Sequence, residues 1–176
     1  MSDTMETLFT EKEIQDAVAR VAEALNADYR DEHVLVIGVA TGAIVFLSDL
    51  MRQLQMPVHL ELVRAKSYRG SDTRPGELDI DLWGLEEGDI RGRRVLLVDD
   101  IFDTGRTLET LSQRLLAHGA RDVKTVVFLE KPDRRETEML PDYVGLRIPD
   151  RFVVGYGLDF DGRMRNLPYI AAMDEG

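Results

Sequence analysis

The chain has 176 residues, 44% hydrophobic and 31% charged, and contains no cysteine. That length buries one continuous core without staples, and the missing thiols exclude disulfides, thiolate metal sites and cysteine nucleophiles together. Its 33 acids outnumber 22 Lys and Arg to give a formal net charge of −11, which disfavours nucleic acid and anionic membrane as partners but leaves a locally held anionic substrate open.

No apolar run reaches the length of a bilayer, and the opening "MSDTMETLFTEKE" carries no basic-then-apolar signal, so a cytoplasmic address is expected. Thr10 to Glu13 spells T-x-x-E, a capping box, and Ile14, Ala17, Val18, Val21, Ala22 and Leu25 follow at helical spacing. "VLVIGV" (Val34 to Val39) has the length of a buried strand and ends at "ATGA", ahead of a second helical pattern from Ile44 to Leu54. "VHLELVR" (Val58 to Arg64) reads as another strand. "VLLVD" is a third, followed by a helix from about Thr104 to His118 that Gly119 stops. "VKTVVFLEK" is a fourth. Strands separated by helices of this length imply right-handed crossovers, so the expected fold is α/β: a mostly parallel, doubly wound sheet with a small appended region.

Two stretches resist that pattern. "KSYRGSDTRPGELDIDLWGL" (Lys66 to Leu85) is too polar and too rich in Gly and Pro for a core element; a disordered connector, an exposed hairpin and a lid over a site all remain open. "DRFVVGYGLDFDGRMRNLPYI" mixes aromatics with glycines and acids, and reads as short strands and turns.

Chemistry concentrates in "VLLVDDIFDTGRTL". Ligands of open parallel sheets bind beyond the carboxyl ends of the strands, which is where Asp99 and Asp100 are expected. Thr104, Gly105, Arg106 and Thr107 then offer consecutive amides, two hydroxyls and a helix N-terminus, a cradle for a phosphate monoester. An isolated D-T-G is as readily explained by Asp103 capping the helix. Caps do not require an acid pair directly upstream, whereas the vicinal hydroxyls of a ribose 5-phosphate, or Mg²⁺, would engage one. No G-x-x-x-x-G-K-[ST] is present, which argues against a P-loop hydrolase.

This segment resembles the phosphoribosyl diphosphate (PRPP) binding motif of the type I phosphoribosyltransferases: an apolar strand, two acids, a short phosphate loop. The acid at Asp103 is similar to the 6-oxopurine branch, which acts on hypoxanthine and guanine. "PDYVGLRIPDRFVVGYGLDFDGRMRNLPYI" resembles that branch's carboxyl-terminal signature, and "SYRG" the start of its mobile loop. The likeness covers about Val34 to Ile170. It implies a single domain over 1–176, with a mobile loop at about 66–85 and a base-binding hood mainly at 140–176 plus part of the N-terminus. It implies purine salvage, with transfer of phosphoribose from PRPP to hypoxanthine or guanine giving IMP or GMP.

The resemblance also distributes roles. Asp99 and Asp100 would hold ribose hydroxyls, and Asp103 to Thr107 the 5-phosphate, with Asp103 also the general base at purine N7. Lys131 would donate to the exocyclic O6, Phe152 would stack on the ring, and Val153 and Asp159 would complete the purine site. Thr41, Gly42 and Arg165 would hold pyrophosphate, with Mg²⁺ on Asp99 and Asp159, while Ser67 and Tyr68 would belong to the lid. Unaided, Lys131 reads as an end-of-strand surface charge, "RFVVGY" as core strand, and Arg165 as an ordinary arginine of a charged turn. Implied partners are PRPP and an oxopurine, with a homodimer or homotetramer as the assembly.

Three positions depart from the branch. Ala40-Thr41-Gly42 replaces Leu-Lys-Gly, removing a cation near the leaving group. Asp99 replaces a glutamate. Gly157 replaces a frequent alanine, a change expected to be small. Rival readings are a transferase for xanthine or another nucleobase, a phosphate-binding module without catalysis, and a regulator that keeps the fold and binds RNA or protein. The acidic balance speaks against RNA.

Overall fold

Near-continuous apolar runs become the inner strands of a parallel sheet, because helices cover both of its faces. The computed structural model describes residues 5–67, 78–82 and 84–173. In chain order the elements are β1 (Met5–Phe9), α1 (Glu11–Asp28), β2 (Val34–Ala40), α2 (Ile44–Met51), β3 (Val58–Ser67), β4 (Leu78–Asp81) and α3 (Glu87–Ile90). There follow β5 (Arg94–Phe102), α4 (Arg106–Ala117), β6 (Asp122–Glu130), β7 (Tyr143–Arg147), β8 (Phe152–Val154) and β9 (Ile170–Met173). The main sheet has the order β4-β3-β2-β5-β6-β7, parallel except for β4, and a small antiparallel sheet, β1-β9-β8, forms a hood beside it. This is the mostly parallel, doubly wound α/β sheet with a small appended region that the sequence predicts.

Alternation along the strands divides the core. Val34 and Val36 of β2 and Leu96 and Val98 of β5 face Ile14, Val18 and Leu25 of α1 and Phe46 and Leu50 of α2. Leu35, Ile37, Val95 and Leu97 point the other way, onto Leu108, Leu111 and Leu115 of α4. The capping box closes α1: Glu13 N donates to Thr10 Oγ1 at 3.3 Å, and Thr10 N donates to Glu13 Oε2 at 2.9 Å. Among the described residues, no helix is long and apolar enough to cross a membrane.

From β2 the chain crosses through α2 to β3 on one side of the sheet order, and from β5 it crosses through α4 to β6 on the other. The carboxyl ends of β2 and β5 therefore flank the topological switch point, where an open α/β sheet leaves a crevice.

Several boundaries differ from the sequence expectation. Helix α2 ends at Met51 rather than Leu54, because the last residues tighten into a turn: Gln53 N donates to Leu50 O, and Leu54 N to Met51 O. Helix α4 starts at Arg106 rather than Thr104, since Gly105 is left-handed, with φ 87°, and no helix passes through it. Strand β5 continues through both acids to Phe102. Tyr143–Arg147, read from sequence as part of the hood region, pairs in parallel with β6 at the edge of the main sheet. The arms of the polar Lys66 to Leu85 stretch pair antiparallel, from Arg64↔Asp81 to Ser67↔Leu78, so the hairpin is the alternative that holds for them. Ser67 ends β3; Tyr68 lies outside the described residues.

Candidate active site

The two acids sit on the last turn of the pleat of β5, at the switch point. Asp100 N donates to Asp99 Oδ1 at 2.8 Å, and Ile101 N donates to Asp100 Oδ1 at 2.7 Å, so each carboxylate spends one oxygen on the next backbone amide. Asp99 is buried. Its carboxyl is held well above the usual range, first by burial and then by the neighbouring Asp100 charge. Burial raises Asp100 as well, against smaller opposing effects that include hydrogen bonds and the Arg165 charge. At the end of β2, a Cβ on Gly42 would fall 1.8 Å from Asp100 Oδ2, so only glycine leaves that oxygen in place. The adjoining Ala40–Thr41 peptide is cis, and Thr41 is exposed.

Beyond β5 the chain makes the turn that the sequence marks as a phosphate cradle. A Cβ on Gly105 would come within 2.6 Å of both the Phe102 ring and Thr137 Oγ1. Glycine is therefore required twice over, by its φ and by its neighbours. The resulting cleft holds about 280 Å³ and is lined by Gly42, Asp99, Asp100, Asp103, Thr104, Gly105 and Thr107 among others. Arg106 does not line the cleft; its guanidinium pairs with Glu136, and its amide donates to Thr104 Oγ1 at 3.4 Å. The 132–138 segment backs the turn, with Glu136 N donating to Thr104 O.

Lys131 follows β6, and its amide donates to Phe102 O at 2.9 Å. The side chain is buried, not the surface charge that its position alone suggests, and its ammonium lies 3.7 Å from Asp150 Oδ1. Arg134 Nη1 lies 3.5 Å from the same Asp150 oxygen, and Arg134 Nε lies 2.8 Å from Asp103 Oδ1. The latter contact is an ion pair by distance but is off the line of a hydrogen bond, and it engages an oxygen that is shut off from solvent. Phe152 opens β8 and meets Phe160 edge to face, with ring centres 5.8 Å apart. Val153 is buried and pairs with Ala172 of β9.

The hood turn packs against the loop after β2. Arg165 donates to Gly157 O at 2.6 Å and pairs with Asp159 Oδ1 at 2.9 Å, while Gly162 N donates to Asp159 Oδ2 at 2.8 Å. Gly157 is not interchangeable with alanine here, against expectation. Its φ is +96°, and a Cβ would stand 2.5 Å from Gly42 O. That same approach places the hood turn against the loop after β2.

Among the described residues, no three His, Cys, Asp or Glu side chains converge as a metal cage. The donors present suit Mg²⁺ differently: an ion that keeps several waters needs only one or two carboxylates plus substrate oxygens. Asp99 and Asp100 each retain an oxygen that no backbone amide engages, which fits that pattern. Sequence reasoning missed Arg134 and Asp150. Nothing in the spacing of "KPDRR" or "IPDR" announces that a short 3₁₀ turn at Pro132–Arg134 brings an arginine onto Asp103.

A family model described as the phosphoribosyl transferase domain matches residues 4–161. The hypoxanthine-guanine phosphoribosyltransferase of Bacillus subtilis (strain 168) is 37% identical over 173 residues, covering 97% of this chain and 94% of that protein. A crystal structure of a hypoxanthine phosphoribosyltransferase from Staphylococcus aureus superposes with a TM-score of 0.87 at 35% identity, over 96% of this chain and 91% of that one. A Trypanosoma cruzi hypoxanthine phosphoribosyl transferase, studied for the role of its C-terminal region in oligomeric state and activity, gives 0.89 at 33% identity, over 99% and 93%.

Proposed function

The chain belongs to the phosphoribosyltransferase family, among its hypoxanthine-guanine enzymes, and from that premise we propose how its cleft moves the phosphoribosyl group of PRPP onto hypoxanthine and guanine, giving IMP or GMP and pyrophosphate. The observation that carries the reading is the pairing, in one cleft at the β2/β5 switch point, of a buried and a half-buried acid with an amide-lined turn.

The 5-phosphate lies in the turn from Asp103 to Thr107, bound by backbone amides, the helix α4 terminus and the Thr104 and Thr107 hydroxyls. Asp99 and Asp100 accept from the ribose hydroxyls, which gives hydrogen-bond donors to a carboxyl pair whose ionisation burial disfavours. Pyrophosphate rests on the loop of Thr41 and Gly42, with Arg165 over it. This chain lacks a lysine in that loop, so Arg165 and backbone amides carry more of the leaving group's charge.

The purine stacks on Phe152, with Val153 and Asp159 at its edge. Lys131 donates to O6, a bond that an amino group in that place cannot accept, so adenine is rejected. The purine enters with its proton on N7. N9 supplies the electron pair that forms the bond to C1, the C1–O bond breaks with its pair leaving on pyrophosphate, and Asp103 takes the N7 proton. When substrate is bound, Asp99 would hold one Mg²⁺ and Asp159, on giving up part of its pairing with Arg165, a second one carried by pyrophosphate; each would supply positive charge against the leaving group. Ser67 and Tyr68 belong to a lid that keeps water from C1. We place the enzyme in the cytoplasm and give it a homodimer or homotetramer as its assembly.

The test is direct: incubate the protein with PRPP and Mg²⁺ and each of hypoxanthine, guanine, xanthine and adenine, and follow nucleotide formation. Hypoxanthine and guanine should give product and adenine none. Product with adenine alone overturns the roles of Asp103 and Lys131, xanthine as the best substrate moves the enzyme to another base, and no product with any base leaves a binding module.

A further inference from the structure

Between the two groups that address the purine edge lies a series of alternating charges: Lys131, Asp150, Arg134 and Asp103. Asp150 Oδ1 stands 3.7 Å from the Lys131 ammonium and 3.5 Å from Arg134 Nη1, and Arg134 Nε stands 2.8 Å from Asp103 Oδ1. The ends of the series have work in the transfer reaction, and the two middle members have none assigned. N7 and O6 are neighbours on one edge of an oxopurine, so the spacing between a carboxylate for the first and an ammonium for the second has to match that edge.

Both middle residues are about half exposed, with side-chain exposures of 46% for Arg134 and 50% for Asp150. An exposed pair of this kind adds little to stability, because water screens it. What it supplies is placement. Arg134 rides on the 3₁₀ turn that directly follows Lys131, and Asp150 leads into β8, which carries Phe152. One arginine therefore ties the phosphate turn, the lysine strand and the stacking strand together. Glu136, a further acid whose charge acts on Arg134, is taken by Arg106.

We propose that Arg134 is a positioning residue for the oxopurine, with Asp150 as its pivot: it aims the Asp103 carboxylate at N7 while Asp150 fixes the Lys131 ammonium at O6. The inference rests on the base and donor roles proposed for Asp103 and Lys131. The contact anchors the carboxylate by its buried Oδ1, while the side chain as a whole stays 38% exposed and lines the cleft. That is the condition for a side chain that must be aimed and still take a proton.

A double-mutant cycle tests this. Arg134→Met should lower kcat by about 10–100-fold, the scale of a misaimed reacting group, and raise the KM for hypoxanthine while the KM for PRPP stays within about twofold. Arg134→Lys, which keeps the charge, should recover most of the loss. Added to Asp103→Asn, Arg134→Met should lower kcat no further, because the base it aims is gone, while the KM for hypoxanthine still rises through Asp150 and Lys131. Full additivity, or an equal rise in both KM values, overturns the positioning role and leaves Asp103 as base. Full turnover by Asp103→Asn alone overturns the base reading first, and this inference with it. Thermal melts of each variant, expected within a few degrees of the parent, show that the changes are not losses of fold.

Discussion

Gly42 lies so close to Asp100 that the Cβ it lacks would fall 1.8 Å from the carboxylate oxygen Oδ2. The glycine is there to let an acid of β5 point into the cleft across the end of β2. Gly42→Ala should displace Asp100 from the ribose position and raise the KM for PRPP by about tenfold or more, since a few tenths of an ångström at a binding group are costly. The KM for hypoxanthine, measured at saturating PRPP, should move far less. Equal change in both would mean that the alanine disturbs the whole cleft.

Asp99 is buried, and burial holds its carboxyl well above the usual range, with the Asp100 charge adding to the effect. A carboxyl raised in the folded state favours folding fully only below its unfolded value of about 3.9, and that contribution is lost as pH rises through the folded value. Above the unfolded value the group therefore weakens the ligand-free fold, because the unfolded chain ionises it more readily. Asp99→Asn, which still accepts from Asp100 N, should raise the melting temperature at pH 7–8, by about 2–4 °C for each kcal/mol recovered in a chain of this size. The advantage should shrink as pH falls toward 4, while PRPP binding is weakened throughout. A variant that melts below the parent at pH 8 would show that the carboxylate is compensated in the fold.

Lys131 is buried and set beside Asp150. Lys131→Met keeps the length of the side chain and removes the donor for O6. It should raise the KM for hypoxanthine by roughly tenfold, the worth of one hydrogen bond to a charged group, and leave the KM for PRPP nearly unchanged. A loss confined to PRPP would place the lysine elsewhere in the reaction.

Gly157 pairs a left-handed φ of +96° with a contact of 2.5 Å between its missing Cβ and Gly42 O. Gly157→Ala should cost about 1–3 kcal/mol through the strained backbone and reduce activity by pushing the hood turn off the loop after β2. Denaturant unfolding measures the first and steady-state kinetics the second. Unchanged stability would mean that the turn relaxes to a negative φ without loss.

Much of this architecture is written in local signals. T-x-x-E fixes the start of α1, and unbroken apolar runs mark β2, β5 and β6 because both faces of each strand are covered. The phosphate turn is legible for the same reason: adjacent acids on an apolar strand have no use as a cap. What escaped the sequence depends on chain reversal at longer range. Tyr143–Arg147 is a short edge strand between Pro141 and Pro149, with too few apolar residues to announce which sheet it joins. Arg134 and Asp150 are ordinary surface letters until a 3₁₀ turn and the start of β8 bring them onto Asp103 and Lys131. The cost of alanine at Gly157 was hidden too, since it comes from the Gly42 carbonyl, 115 positions away in the chain.

A crystal structure of the protein with IMP bound is the most direct test of the central claim. The account predicts the 5-phosphate on the amides of residues 104–107, ribose hydroxyls on Asp99 and Asp100, and the purine between Phe152 and Lys131 with N7 toward Asp103. A phosphate lodged away from that turn, with the base out of reach of Lys131, would contradict it.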